Sequence, residues 1–214
     1  MIIAVDGPAG SGKSTVAKLV ADRVGILYLD TGAMYRAFTL YVLENGVPLE
    51  DLESIRALLD TFSIQMNENR VYINGCDVSR EIRSGRVNEQ VSYLASLQPV
   101  REKMVELQRR MGENNDLIAE GRDIGTVVFP DATHKFYLDA DIEERARRRL
   151  YDENSEHGVG SVREMREKLR SRDAYDSSRK ISPLRMAEDA EYIDTTGMTI
   201  EQVGTRIVQR VQES

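Results

Sequence analysis

The first 21 residues constrain this chain most. Met1-Ile2-Ile3-Ala4-Val5 is a short apolar run with β-branched residues, bounded by Asp6-Gly7-Pro8. That is the profile of a buried strand entering a loop. Gly7-Pro8-Ala9-Gly10-Ser11-Gly12-Lys13-Ser14 fits G-x-x-x-x-G-K-[ST] at every fixed position, and Thr15 to Ala21 continues with helical character. Glycines let the backbone curl so that its N–H groups converge on anionic oxygens. The helix N-terminus adds its positive dipole end, and Lys13 a full charge. Gly7 to Thr15 is therefore the expected binding segment for the phosphates of a nucleoside triphosphate. Ser14 is the expected protein ligand of Mg2+, which is otherwise held by phosphate oxygens and water.

Strands and helices alternate beyond this segment. Ile26–Leu29, Leu117–Glu120, His134–Leu138 and Glu191–Ile193 read as further short strands. Helical spacing runs over 31–44, 49–59, 84–97, 99–111, 140–157, 162–176 and 199–211, with a break expected at Pro99 and a joint at Gly158-Val159-Gly160. Such alternation predicts a parallel sheet with helices on both faces, with ligands gathered at the carboxyl ends of the strands. Asp6, Asp30, Gly121-Arg122-Asp123 and Asp139 fall there. Residues 63–83 differ in alternating apolar and polar residues about Asn67-Glu68-Asn69-Arg70, which reads as an antiparallel hairpin inserted beside the main sheet.

Composition excludes several classes. The net charge of −7 argues against general nucleic-acid binding. No apolar run approaches a membrane span. Cys76 is the only cysteine and there are two histidines, so neither an internal disulfide nor a zinc site is expected. The chain opens directly on the strand, with no room for a signal segment, so a cytoplasmic protein is expected. From Arg145 to Arg185 there are 12 Lys or Arg against 7 Asp or Glu. Beside a phosphate-binding loop this local excess is a candidate clamp, although it is equally the profile of a solvated helix face.

A phosphate-binding loop alone does not separate a switch, a motor and a small-molecule kinase. No Asn-Lys-x-Asp run exists for a guanine base. Motor ATPases want longer domains and a longer hydrophobic run ending in acidic residues. A small kinase needs a second basic site for the acceptor and a lid excluding water. Arg36, Arg101, Arg122 and the 145–185 segment can supply both.

At this point the chain closely resembles the bacterial cytidylate kinases, a branch of the nucleoside monophosphate kinases. The resemblance is carried by Gly7–Ser14, Leu29–Arg36, Glu120–Ala132, Arg172–Arg179 and Ser182-Pro183-Leu184. It implies a P-loop type α/β fold with a five-stranded parallel sheet. It implies one kinase domain over 1–214: a core of 1–30, 113–149 and 181–214, a monophosphate-binding region at 31–112 containing the antiparallel patch, and a helical lid at 150–180. It implies transfer of the ATP γ-phosphate to CMP or dCMP by a monomer. The alternatives are a kinase for another nucleoside monophosphate, or a P-loop switch without an acceptor.

The resemblance also assigns roles. Lys13, Arg122, Arg172 and Arg179 are the expected catalytic residues. Thr31, Arg36, Ser92, Arg101, Arg122, Asp123, Arg172, Asp176 and Arg179 are the expected CMP contacts. Cytosine offers an N4 donor that the Asp123 carboxylate can accept, whereas uracil presents an oxygen there. Asp123 can instead pair with Arg122, and Arg172 with Asp176 as an i,i+4 surface pair. Asp30 can act on the metal through water or cap the following helix. Arg147 and Arg148 read as solvated face.

Overall fold

The computed structural model describes residues 1–67, 70–152 and 160–213. In chain order the elements are β1 (Ile2–Asp6), α1 (Lys13–Val24), β2 (Leu27–Asp30), α2 (Thr31–Glu44) and α3 (Leu52–Thr61). Then come β3 (Ile64–Asn67), β4 (Arg70–Ile73), β5 (Cys76–Asp77), α4 (Gly85–Leu94) and α5 (Gln98–Gly112). The remainder is β6 (Leu117–Gly121), β7 (His134–Asp139), α6 (Ile142–Leu150), α7 (Val162–Ser178), β8 (Glu191–Asp194) and α8 (Ile200–Gln212). Two compact units result: the described residues of 1–31, 108–152 and 160–213, and those of 32–107.

The first unit is built on a five-stranded sheet in the order β2-β6-β1-β7-β8, parallel throughout. Its central strands are apolar on both faces: Ile3, Ala4, Val5, Ile118 and Ala119 are fully buried. Strands covered in this way read as continuous hydrophobic runs rather than alternating ones. On one face Val16, Ala17, Val20 and Ala21 of α1, spaced for one helical side, pack with Val203, Ile207 and Val211 of α8 against Ile3, Val5, Phe136 and Ile193. Burying a side chain the size of Phe136 contributes about 2–3 kcal/mol. Helix α8 begins with a capping box in which Thr199 and Gln202 satisfy each other's backbone N–H groups. Strand order and register carry Asp6, Asp30, Glu120 and Asp139 to one rim.

The second unit holds the antiparallel sheet β3-β4-β5. Phe38 of α2 meets Phe62 edge-on, with centroids 5.2 Å apart. The strand β5 was not expected. Asn74 and Gly75 both take positive φ, 49° and 84°, which folds the chain back on β4 as a primed hairpin turn does. The expected hairpin tip at Glu68-Asn69 lies outside the described residues.

Several helix boundaries differ from the pattern reading: α3 spans Leu52–Thr61 against the expected 49–59, and α4 ends at Leu94 against 97. The break before α5 falls ahead of Pro99, which sits in the first turn, where a missing N–H costs nothing. Helix α6 ends at Leu150, with Tyr151 and Asp152 outside it. The expected continuation to 157, the joint at Gly158-Val159 and part of the lid segment fall at 153–159, outside the described residues.

Candidate active site

The loop between β1 and α1 is shaped by backbone demands that glycine alone meets. Gly7 has φ 146°, and a Cβ there would lie 2.0 Å from the Leu138 carbonyl oxygen of β7. Gly12 is left-handed at φ 89° and forms the N-cap of α1, so no side-chain oxygen competes there for the first-turn N–H groups. Lys13 is buried and folds back over the loop, its Nζ donating to the Pro8 carbonyl at 2.6 Å and to Ser11 Oγ at 3.3 Å. Burial, and then the charge of Arg122, lower its pKa to about 7 against the pull of Glu120, Asp173 and Asp6.

One carboxylate bonds Ser14 and a second neighbours the first. Glu120 and Asp30 are register partners on β6 and β2, and both are buried. Ser14 Oγ donates to Glu120 Oε1 at 2.7 Å. Burial, with the neighbouring Asp30, raises the Glu120 pKa, although Lys13, Ser14 and Arg122 oppose the rise. A hydroxyl and two carboxylates at a phosphate loop form an all-oxygen donor set suited to a hard divalent cation that keeps its waters. Glu120 was read from sequence only as the end of a strand. Thr31, which opens α2, donates its hydroxyl to the Glu120 carbonyl at 2.7 Å and is buried there.

Arg122 follows β6 directly. Its Nε donates to Asp176 Oδ2 at 3.1 Å, so its partner comes from α7 rather than from Asp123 next door. Asp176, 2% exposed, also pairs with Arg179. Burial pulls the Asp176 carboxyl upward, but Arg122, Arg179 and Arg172 together hold it below the usual carboxylate range. Arg172, half-buried one turn before Asp176, contributes through its charge. Asp176 is thus the centre of a buried cationic cluster, not half of a surface pair. Asp123 is buried in the bend that leads into a short π-type helix at Ile124–Val128.

The same helix α7 also reaches the phosphate loop. Asp173 Oδ1 accepts the Ala9 N–H at 3.3 Å, and Asp173 Oδ2 accepts from Arg145 Nη1 at 2.5 Å. Arg145 Nη1 also donates to the Ala9 carbonyl at 3.1 Å. Neither residue stands out in the sequence from its charged neighbours. Arg147 is exposed, as expected of a solvated face, but Arg148 donates to Thr195 Oγ1 and the Thr195 carbonyl at 2.9 and 2.7 Å.

In the second unit Arg101 is 2% exposed, with Nη1 donating to the Ala95 carbonyl at 3.0 Å and the guanidinium 5.2 Å from the Tyr35 ring centroid. Arg36 on α2 donates from Nε to Asn88 Oδ1 at 3.5 Å. Ser92 is half-buried on α4. Of the expected site residues, Gly7 to Thr15, Thr31, Arg122, Asp123, Arg172, Asp176 and Arg179 belong to the first unit, and Arg36, Ser92 and Arg101 to the second. Among the described residues no helix is long and apolar enough to cross a membrane.

The chain resembles known proteins over its whole length. The family model for cytidylate kinase matches residues 3–213. A cytidylate kinase from Fusobacterium nucleatum is 48% identical over 214 residues, covering 100% of this chain and 98% of the relative. One from Halalkalibacterium halodurans is 46% identical over 218 residues, covering 100% and 98%. In fold, a shikimate kinase from Bacteroides thetaiotaomicron superposes with a TM-score of 0.55 at 11% identity, covering 99% of this chain and 98% of the other. A shikimate kinase from Acinetobacter baumannii gives 0.51 at 16% identity, covering 99% and 93%. These two likenesses concern the fold alone.

Proposed function

As the chain belongs to the cytidylate kinase family, we propose that it transfers the γ-phosphate of ATP to CMP or dCMP, giving CDP or dCDP and ADP. The observation that carries this reading is the pair of cations at the phosphate loop: Lys13, buried over Pro8 and Ser11, and Arg122, held by Asp176, lie near enough for their charges to oppose. Two cations brought together out of water oppose one another until an anion joins them. A phosphoryl group in transfer is such an anion, with charge spread over its oxygens.

The roles follow from chemistry and family likeness. Lys13 and the N–H groups of 7–15 hold the donor phosphates. Ser14 would hold Mg2+, with Glu120 and Asp30 reaching its waters, and the ion would neutralise phosphate charge. Thr31, Arg36 and Arg122 hold the acceptor. By family likeness Asp123 accepts from cytosine N4, Arg101 donates to N3 and O2, and Ser92 is a further contact of the base. Arg172 and Asp176 address the ribose, and Arg179 spans the phosphates. Positioning and positive charge suffice, and no covalent nucleophile is required. The enzyme works as a monomer in the cytoplasm, with residues 31–112 receiving the monophosphate and 150–180 as the lid.

The test is an acceptor panel: ADP release from ATP and Mg2+ with CMP, dCMP, UMP, AMP or GMP. Stimulation by CMP or dCMP above the others is the expected result, and its absence refutes the assignment.

A further inference from the structure

The residue immediately before the phosphate loop has a partner that its position does not suggest. Asp6 ends β1 and is 4% exposed. Its Oδ1 accepts the Ile124 N–H and its Oδ2 the Gly125 N–H, both at 2.8 Å. These are first-turn donors of the Ile124–Val128 helix, which have no partner within the helix itself. A carboxylate from another strand therefore caps this turn with both oxygens. The far end is gripped as well: Arg109 donates from Nη2 to the Val127 carbonyl at 2.7 Å and from Nε to the Val128 carbonyl at 2.9 Å. Arg122 and Asp123 occupy the two positions just before the capped turn, and Val127 and Val128 both donate to the Asp123 carbonyl.

The cost of this arrangement indicates what it is for. Burial pushes the Asp6 carboxyl up to about 7, with Asp123 adding repulsion, while the two N–H groups and Lys13 pull it down. A neutral residue would cap the turn with less desolvation. Two ionised oxygens, however, fix two successive N–H groups at once and so set the rotation of the backbone that carries Asp123. Because β1 runs directly into Gly7, the same residue ties that backbone to the origin of the phosphate loop.

We propose that Asp6 is a positioning residue for acceptor recognition: by holding Ile124 and Gly125 it aims the Asp123 carboxylate at the acceptor base and thereby sets the discrimination between cytosine and uracil. This rests on the reading of Asp123 as the base contact. Both Asp6 oxygens are engaged by the Ile124 and Gly125 N–H groups.

The test compares wild type, Asp6→Asn, Asp6→Ser, Asp123→Ala and the Asp6→Asn/Asp123→Ala double variant, measuring kcat/KM for CMP and for UMP and KM for ATP. The CMP-to-UMP ratio is independent of how much enzyme is folded, so loss of stability alone cannot move it. Asp6→Asn keeps the shape and one acceptor oxygen. It is expected to raise KM for CMP at least tenfold and lower the ratio by a similar factor, with KM for ATP within twofold. In the Asp123→Ala background the same change is expected to leave the ratio where it was. An unchanged ratio in both Asp6 variants, or equal rises in the two KM values, overturns the inference. If Asp123→Ala itself leaves the ratio intact, the base-contact reading fails instead, and the inference falls with it.

Discussion

Ser14 Oγ and Glu120 Oε1 lie 2.7 Å apart, so the hydroxyl that the loop motif reserves for a cation is engaged by a carboxylate 106 residues away. The hydrogen bond orients Ser14 and uses one Glu120 oxygen, while Asp30 is the register partner of Glu120 on the neighbouring strand. If this pair supports Mg2+ through its waters, Glu120→Gln keeps the shape but removes the charge. The Mg2+ concentration for half-maximal rate is expected to rise about 10- to 100-fold, the usual cost of losing an outer partner of a metal site. A rate titration against Mg2+ at saturating ATP and CMP measures this. An unchanged midpoint would remove Glu120 from the metal site.

Asp123→Ala is expected to erase most of the preference for cytosine over uracil. A carboxylate accepting from N4 is worth roughly 1–3 kcal/mol of discrimination, or about 5- to 150-fold in the ratio of kcat/KM values. The loss should fall on CMP, while UMP, which gains nothing from Asp123, should change little. Equal losses on both substrates would point to a purely structural role.

What could be read in advance divides by the sequence distance of the partners. The segment Gly7–Ser14 was legible because strand, loop and helix N-terminus are contiguous, so the chemistry lies in one stretch of chain. The five parallel strands were legible from apolar runs of the right length, and α2 to within a residue from its Asn45-Gly46 stop. The partners of Glu120, Asp6 and Arg145 were not. Glu120 and Asp6 gain their roles from neighbours more than a hundred residues away, β1 beside β6 bringing Asp6 to the turn after Gly121, and Arg145 gains its role by bridging Ala9 and Asp173. Asp176 was expected on the lid helix, but its pairing with Arg122 depends on how α7 packs and has no periodic signal. Arg148 reads as one of three successive arginines, and only the turn at Thr195 separates it from Arg147. The two-residue strand β5 was missed because it is shorter than any usable alternation.

The Arg122–Asp176–Arg179 cluster predicts opposite outcomes for two neighbouring substitutions. Arg179→Ala leaves Asp176 paired with Arg122, so stability should change by less than about 1 kcal/mol while kcat falls about 100-fold or more. Losses in kcat with KM for ATP nearly unchanged mark a contact made in the transition state. Asp176→Ala instead leaves buried cations without their shared anion and should cost about 3 kcal/mol of stability. Thermal unfolding and steady-state kinetics on both variants check the pattern. An unaffected kcat in Arg179→Ala refutes its role across the phosphates.

Lys13 provides a pH test with a definite sign. Its pKa in the ligand-free protein is about 7, below the ordinary 10.5, because burial and Arg122 disfavour its charge. Between pH 7 and 10.5 the unfolded chain therefore binds more protons at this group than the folded one, so its contribution to stability rises with pH across that window. Bound phosphates would restore the charge and raise the pKa, so ATP binding above pH 7 must take up a proton. At pH 8 calorimetric titration with ATP in buffers of different ionisation enthalpy should show uptake approaching about one proton per ATP, and the apparent affinity should fall toward tenfold per pH unit above 7. Asp6, pushed up to about 7, is mostly ionised at pH 8, and a recharged Lys13 pulls its pKa down, so it adds no uptake. Lys13→Arg isolates the lysine, since arginine stays charged throughout. In that variant the uptake should disappear. Uptake that persists undiminished in Lys13→Arg would show that Lys13 is already charged before ATP arrives.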